Sequence, residues 1–308
     1  MDILHHFSAA LTVTAPLLII LLAGIAFRKS GILDSAFVET GNKLVFGVAL
    51  PCLLFLSVAT HPTSDSQVLP LIIFALVATV LSVVIVRGFS PLFIAKDQCG
   101  VFTQCAFRGN MGIIGIALCL NAYDESILAI AAIYVAVLTI SYNILAVLLL
   151  SNSCKNIFKS LLKNPLIIAI VLGLVWSESK VPVPDIMHTS LSYLAQLTLP
   201  LALVCIGASL NWQSLRANHK LAFTATALKL LVLPATICFV AIMVGIKGNA
   251  LGVLFLMMGT PTAASAYVMS KQMTGQGNLA AEIITLSTLL SPITITLGLV
   301  ALNYLSLI

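Results

Sequence analysis

Charge is what this sequence has least of. Of its 308 residues, 8% are charged (15 basic, 10 acidic) and 60% are hydrophobic. The mean hydropathy is +1.13. So few charged side chains cannot cover a soluble surface of this size, which places the chain among membrane proteins, with the lipid bilayer as its solvent. Metal and disulfide chemistry are missing too. The seven cysteines are an odd number, scattered singly, with no C-x-x-C and no histidine spacing that suits a metal. Cys52, Cys105, Cys119, Cys205 and Cys238 fall in apolar runs, where cysteine behaves as a small hydrophobe. No nucleotide-binding loop, zinc-protease motif or nucleophile elbow occurs. We therefore expect no enzyme, no catalytic residue, no metal, no cofactor and no nucleic-acid partner. A cleavable signal is not expected either, because residues 1–10 hold no basic residue and no small-residue cleavage site follows.

What is there is apolar length. A membrane-spanning helix needs about 20 apolar residues, and ten such segments can be marked: 9–27, 37–60, 68–89, 98–121, 127–150, 165–177, 186–210, 221–245, 250–271 and 279–305. One set of alternate connections holds Arg28, Lys29, Lys43, Arg87, Lys96, Lys155, Lys159, Lys163, Arg216, Lys220 and Lys271; the other holds Lys180 and Lys247. Lys/Arg excess marks the cytoplasmic side, so both termini are expected outside. Arg108 and Lys229 fit neither set, because they fall inside spans.

The chain also repeats itself weakly. Asn164-Pro165-Leu166-Ile167-Ile168 follows Ala15-Pro16-Leu17-Leu18-Ile19 at an offset of 149, and Leu199-Pro200 follows Leu50-Pro51 at the same offset. Gly252-Val253 follows Gly100-Val101 at 152, and Ser291 follows Ser141 at 150. Four ordered matches at nearly one offset divide the chain into five-span halves, 1–150 and 151–308. Five being odd, the second half enters the membrane from the other side. The expected fold is all-α and polytopic, with two inverted five-helix repeats.

Two spans are interrupted. The fourth is broken by Arg-Gly-Asn-Met-Gly (Arg108–Gly112), the ninth by Met-Gly-Thr-Pro-Thr-Ala (Met258–Ala263). Inside hydrocarbon a broken helix survives only within protein or beside a watery cavity. Broken helices at matching positions of inverted halves point to the binding site of a secondary transporter. The second half of each span would begin at the crossing, offering free N–H groups and a partial positive charge to an anion. Thr260-Pro261 reads as an N-cap followed by proline at the first helical position. Asn110 is expected either to cap the other half or to bind a ligand.

Arg108 strengthens the anion reading. A mid-span arginine costs about 2.5–3.5 kcal/mol by insertion scales and needs a partner, yet no Asp or Glu lies in the central part of any span. A substrate carboxylate is one candidate; helix carbonyls freed by the break are the other. The expected substrate-binding set is Arg108, Gly109, Asn110, Gly112, Thr260, Pro261 and Thr262. Asn143, Lys229, Ser265 and Glu282 are expected in support. Lys229 lies about 13 Å along its helix from Lys220, able to snorkel only part of the way to the surface, and Glu282 is its expected ion-pair partner.

The ordered motifs carry a resemblance. Gly24 to Gly31 with Arg28-Lys29, Asn42-Lys43-Leu44-Val45, Ala49-Leu50-Pro51, the Arg108–Gly112 break, Asn164-Pro165-Leu166, Gly207-Ala208-Ser209-Leu210, Pro261-Thr262-Ala263 and Ala266-Tyr267-Val268 together resemble bacterial members of the auxin efflux carrier family. That resemblance implies ten helices with crossed fourth and ninth, and carriage of an organic anion such as a malonate- or malate-like carboxylate. It also implies a static scaffold of spans 1, 2, 6 and 7, able to form a homodimer, and a moving domain of spans 3–5 and 8–10. The expected place is the bacterial inner membrane, with proton or sodium coupling left open. The alternative is a sodium-coupled organic-anion symporter resembling the bile-acid transporters. A channel would need continuous polar helix faces, and an intramembrane enzyme a catalytic constellation; His61, His188 and His219 sit in loops.

Overall fold

The computed structural model describes residues 3–60, 68–123, 126–150, 164–210 and 219–308, and the regular elements among them are all helices, with no strand. A lipid-embedded chain has no water to satisfy its backbone, so helices are the economical answer for apolar runs of this length. Seven helices are long and apolar enough to cross a membrane: His6–Lys29, Ser35–Thr60, Val68–Leu92, Ile127–Leu150, Asp185–Ser209, Lys220–Met243 and Gly277–Tyr304. Shorter apolar helices cover Met111–Ala122, Pro165–Glu178 and Gly248–Met258. These short pieces fall in the expected fourth, sixth and ninth spans. The basic residues Lys155, Lys159, Lys163 and Arg216, the acidic pair Asp124-Glu125, and His61 lie outside the described residues.

In chain order the helices are α1 (Ile3–Lys29), α2 (Ser35–Leu44), α3 (Leu50–Thr60), α4 (Val68–Phe89), α5 (Cys99–Phe107), α6 (Ile116–Ala122), α7 (Ser126–Leu150), α8 (Pro165–Ser179), α9 (Asp185–Gln196), α10 (Thr198–Ser209), α11 (His219–Ala227), α12 (Leu233–Met243), α13 (Gly248–Met258), α14 (Ala264–Thr274) and α15 (Gly277–Tyr304). Three wider π turns, Val45–Ala49, Met111–Gly115 and Leu228–Val232, join α2 to α3, lead into α6 and join α11 to α12. Single π turns recur at functional sites, because one extra residue re-aims the side chains around it.

Local signals explain the ends. Asp34 caps α2, its carboxylate accepting from the Phe37 N–H at 2.7 Å. Asn164 caps α8 through the Leu166 N–H, with Pro165 at the first helical position. α14 stops at Gly275, whose φ of +73° is open to glycine.

Packing divides the helices by role. α1 runs along α10 and α15, and α3 along α8. The α1–α10 contact depends on bare backbone: a Cβ on Gly24 would strike the Val204 carbonyl, and one on Gly207 the Leu21 carbonyl. Two of the short helices, α5 and α13, are the most buried. Every residue of α13 from Ala250 to Met258 is buried, as are Val101–Phe107 of α5. The long helices instead expose apolar faces, such as Ile19 on α1 and Val84 on α4, which suits contact with lipid. A hydroxyl pair, Thr14 with Thr296 at 2.7 Å, links α1 to α15.

Candidate functional site

The two interruptions meet. α5 ends at Phe107, with Arg108 extended; α13 ends at Met258, where Gly259 keeps helical angles before the chain reaches extended geometry at Ala263. The two links pair antiparallel at Gly109 and Thr262. The Asn110 N–H donates to the Pro261 carbonyl at 2.8 Å, and the Ala263 N–H to the Arg108 carbonyl at 3.0 Å. Groups that a broken helix would leave bare in hydrocarbon are thereby satisfied by the other break.

Side chains complete the junction. The Thr262 hydroxyl donates to the Cys105 carbonyl at 2.8 Å, in the last turn of α5. The Thr262 N–H donates to the Ser287 hydroxyl at 3.1 Å, and the Thr260 hydroxyl to the Met257 carbonyl at 2.7 Å. Gly109 has to be glycine: a Cβ there would strike the Thr260 hydroxyl and come within 3.1 Å of the Lys229 ammonium.

The sequence expectations need correcting at four points. Thr260 does not cap a restarting helix, and Pro261 is not its first residue; α14 restarts at Ala264, with no side-chain cap at Ala263. The residue before a proline is pushed out of the α region, and the pairing of Thr262 with Gly109 delays the restart of the helix. Nor does Asn110 cap through its side chain; the turn it precedes starts at Met111. Lys229 does not pair with Glu282, since its ammonium donates to the Met258 carbonyl at 2.6 Å. It does not snorkel either: it is buried, reaching toward the crossing.

Arg108, 6% exposed, is held by three neutral partners. Its Nε donates to the Ser265 hydroxyl at 3.0 Å, Nη1 to the Tyr142 carbonyl at 3.1 Å and Nη2 to Asn143 Oδ1 at 2.8 Å. A guanidinium has further N–H donors beyond these three. Among the described residues no carboxylate forms an ion pair with it. The arginine borders a cavity of about 370 Å³. Gly109, Asn110, Gly112, Asn143 and Ser265 line the same space, whereas Thr260, Pro261, Thr262, Lys229 and Glu282 do not. The Asn110 side chain makes no hydrogen bond with any described residue.

Nine lining positions lie outside the expected set, Phe46 and Asn164 among them. Phe46 comes from the π turn after α2, and Asn164 from the start of α8. Asn164-Pro165 was visible as a helix start, but nothing local tells that this start faces the crossing. Phe46 carries no signal at all in an apolar span.

Comparison with known proteins points to transporters. A protein of Methanocaldococcus jannaschii named an uncharacterized transporter is 26% identical over 301 residues, covering 93% of this chain and 97% of its own. Another uncharacterized transporter, from Methanothermobacter thermautotrophicus, is 26% identical over 295 residues, covering 92% and 96%. A probable auxin efflux carrier component (1b) of Oryza sativa is 25% identical over 146 residues, 45% of this chain and 26% of its own. The family profile described as membrane transport protein matches residues 9–159 and 149–299. With buried broken helices crossing beside a polar cavity and that profile spanning nearly its whole length, the chain belongs to the membrane transport protein family, that of the auxin efflux carriers, and is a multi-pass transporter of a small molecule.

Proposed function

We propose that this transporter carries a small organic anion, a malonate- or malate-like carboxylate, and that the crossing binds it. The observation that carries this reading is Arg108: a buried guanidinium with only neutral partners among the described residues, beside a cavity, next to an Asn110 amide that bonds none of those residues. An unneutralised cation in a low-dielectric seam favours a mobile anion strongly. Asn143 and Ser265 fix the guanidinium; Asn110 is positioned to accompany it at the substrate. Gly112, Thr260, Pro261 and Thr262 supply the backbone that shapes the cavity, with Glu282 in the surrounding helix.

In this reading the short helices and broken pairs complete ten spans in inverted halves, 1–150 and 151–308, with both termini outside the bacterial inner membrane. Spans 1, 2, 6 and 7 form the scaffold, through which two copies associate, and spans 3–5 and 8–10 slide against it as an elevator. Phe46 and Asn164 then belong to the scaffold wall of the cavity and Arg108 to the moving part. All three lie toward the basic-loop side, so the cavity opens inward.

Purified protein in proteoliposomes, screened against mono- and dicarboxylates with and without proton and sodium gradients, tests the function. A charge-assisted hydrogen bond is worth about 1.5–3 kcal/mol. Arg108→Gln should therefore weaken anion affinity about 10- to 150-fold at unchanged melting temperature. Arg108→Lys should recover part of it, since a point charge lacks the planar fork. Normal affinity with early melting in Arg108→Gln would make the arginine a brace and move the site elsewhere. For orientation, single cysteines at Glu178 and Lys271, both exposed, on a cysteine-free background should label from opposite faces; labelling from one face would overturn the inverted arrangement.

A further inference from the structure

The cavity beside Arg108 has a counterpart elsewhere in the molecule. Thr139, Tyr142, Asn143 and Leu166 line the cavity; the residues 149 positions away, Thr288, Ser291, Pro292 and Leu17, line a void among α1, α6, α10 and α15. That offset is the one relating Asn164-Pro165 to Ala15-Pro16. At the offset of 150 given by Ser141 and Ser291, Tyr142 still answers to Pro292. The two spaces differ in size, about 370 Å³ at the crossing against about 20 Å³ here. Inverted halves that alternate access around a fixed site exchange such spaces, one open while the other is shut.

Polar bonds cross the shut space, although its walls are mostly apolar. Thr14 on α1 and Thr296 on α15 share a buried hydrogen bond between hydroxyls at 2.7 Å. Each also lies near a carbonyl of its own helix, Thr296 at 2.7 Å from that of Pro292 and Thr14 at 3.2 Å from that of Ala10. A hydroxyl has one proton to donate. The shorter bond keeps the Thr296 proton on Pro292, so the Thr14 proton goes across to Thr296. The Asn121 amide of α6 donates to the Val13 carbonyl at 3.1 Å, again into α1. Pro292 loosens α15 at the same place. It has no N–H, and the Thr288 carbonyl four residues earlier takes the Ser291 hydroxyl at 3.3 Å.

We propose that this void is the closed outer counterpart of the cavity, through which the crossing is reached from outside, and that the Thr14–Thr296 and Asn121–Val13 bonds are the latch holding it shut. Both bonds join α1, on the scaffold, to helices of the moving part. Neutral hydrogen bonds are weak enough to break in every cycle and strong enough to bias which face is open. The proposal rests on the inverted ten-span reading given above, which the Glu178 and Lys271 labels test separately, and it needs no anion.

The test is the rate at which an impermeant methanethiosulfonate labels Leu118→Cys on the cysteine-free background, in proteoliposomes without substrate. Leu118 is 1% exposed and lines the void, so its labelling reports opening. Leu118→Cys should label slowly, and from outside alone. Adding Thr14→Val should speed that labelling about 2- to 12-fold, the population shift of one neutral hydrogen bond. It orphans no donor, because Thr296 keeps Pro292. Adding Asn121→Ala should multiply the rate by a similar factor again. Thr12→Val, which removes an exposed α1 hydroxyl bonded to the Ala9 carbonyl, should change nothing. Labelling of Leu118→Cys from inside, an unchanged rate in Thr14→Val, or an equal rise in Thr12→Val overturns the proposal. Should Thr14→Val not purify, Thr296→Val carries the same expectation. Failure of both to fold overturns the latch, because a bond broken in every cycle is dispensable to folding. If Glu178 and Lys271 label from one face, the inverted reading falls and this proposal with it; opposite faces with a Leu118 rate indifferent to Thr14→Val remove the latch alone.

Discussion

The two breaks occupy matching places in the chain and meet in space, yet their side chains do different work. At the first, Arg108 and Asn110 face a cavity, and Asn110 makes no bond to any described residue. At the second, Thr260 and Thr262 turn inward: one hydroxyl binds the Met257 carbonyl, the other the Cys105 carbonyl. The first break leaves polar capacity open; the second closes it. The carbonyl ends differ as well. Thr262 serves the end of α5 with a neutral hydroxyl, while Lys229 serves the end of α13 with a full charge. In the proposed function the two breaks thus divide the work: one recognises, the other secures.

Substitutions can break or sharpen this division. The largest effect is expected at Gly109→Val, where three added carbons collide with Thr260 and Lys229. Overpacking of this kind costs about 1–3 kcal/mol or more, so both melting temperature and anion affinity should fall. Thr262→Val should come next: it strips the donor from a buried Cys105 carbonyl, worth about 1–3 kcal/mol. It should lower the melting temperature while anion affinity, measured by titration, stays near wild type. Asn110→Ala should do the opposite, weakening affinity about 2- to 12-fold, for one hydrogen bond of about 0.5–1.5 kcal/mol, with little change in melting. Matching changes in Thr262→Val and Asn110→Ala would erase the distinction between securing and recognising. Pro261→Ala should matter least. The carbonyl that accepts from Asn110 is retained, and what is lost is chain stiffness, about 0.4–1 kcal/mol.

The positions of both breaks were legible because Arg, Asn, Gly and Pro stand out against apolar spans. The six cavity-lining residues among those expected were legible for the same reason. The local geometry of Thr260-Pro261 was not. The same dipeptide reads as a cap with a first-turn proline or as an extended pair, and only the Gly109 partner decides between them. Lys229 was legible as lying inside a span, but neither its full burial nor its partner was: sequence offers Glu282, a formal charge, and gives no notice of a helix-end carbonyl. Phe46 lies beyond sequence reasoning, because its exposure to the cavity depends on how α2, the π turn and α8 approach each other.

The antiparallel pairing at Gly109 and Thr262 has a consequence for how such a chain can assemble. Each half donates one backbone N–H to the other, from Asn110 and from Ala263, and Thr262 adds a hydroxyl to Cys105. Inserted alone, either half would hold these groups unmatched in hydrocarbon, at several kcal/mol apiece. Neither half is therefore a self-sufficient folding unit: each is the template on which the other's broken helix becomes tolerable.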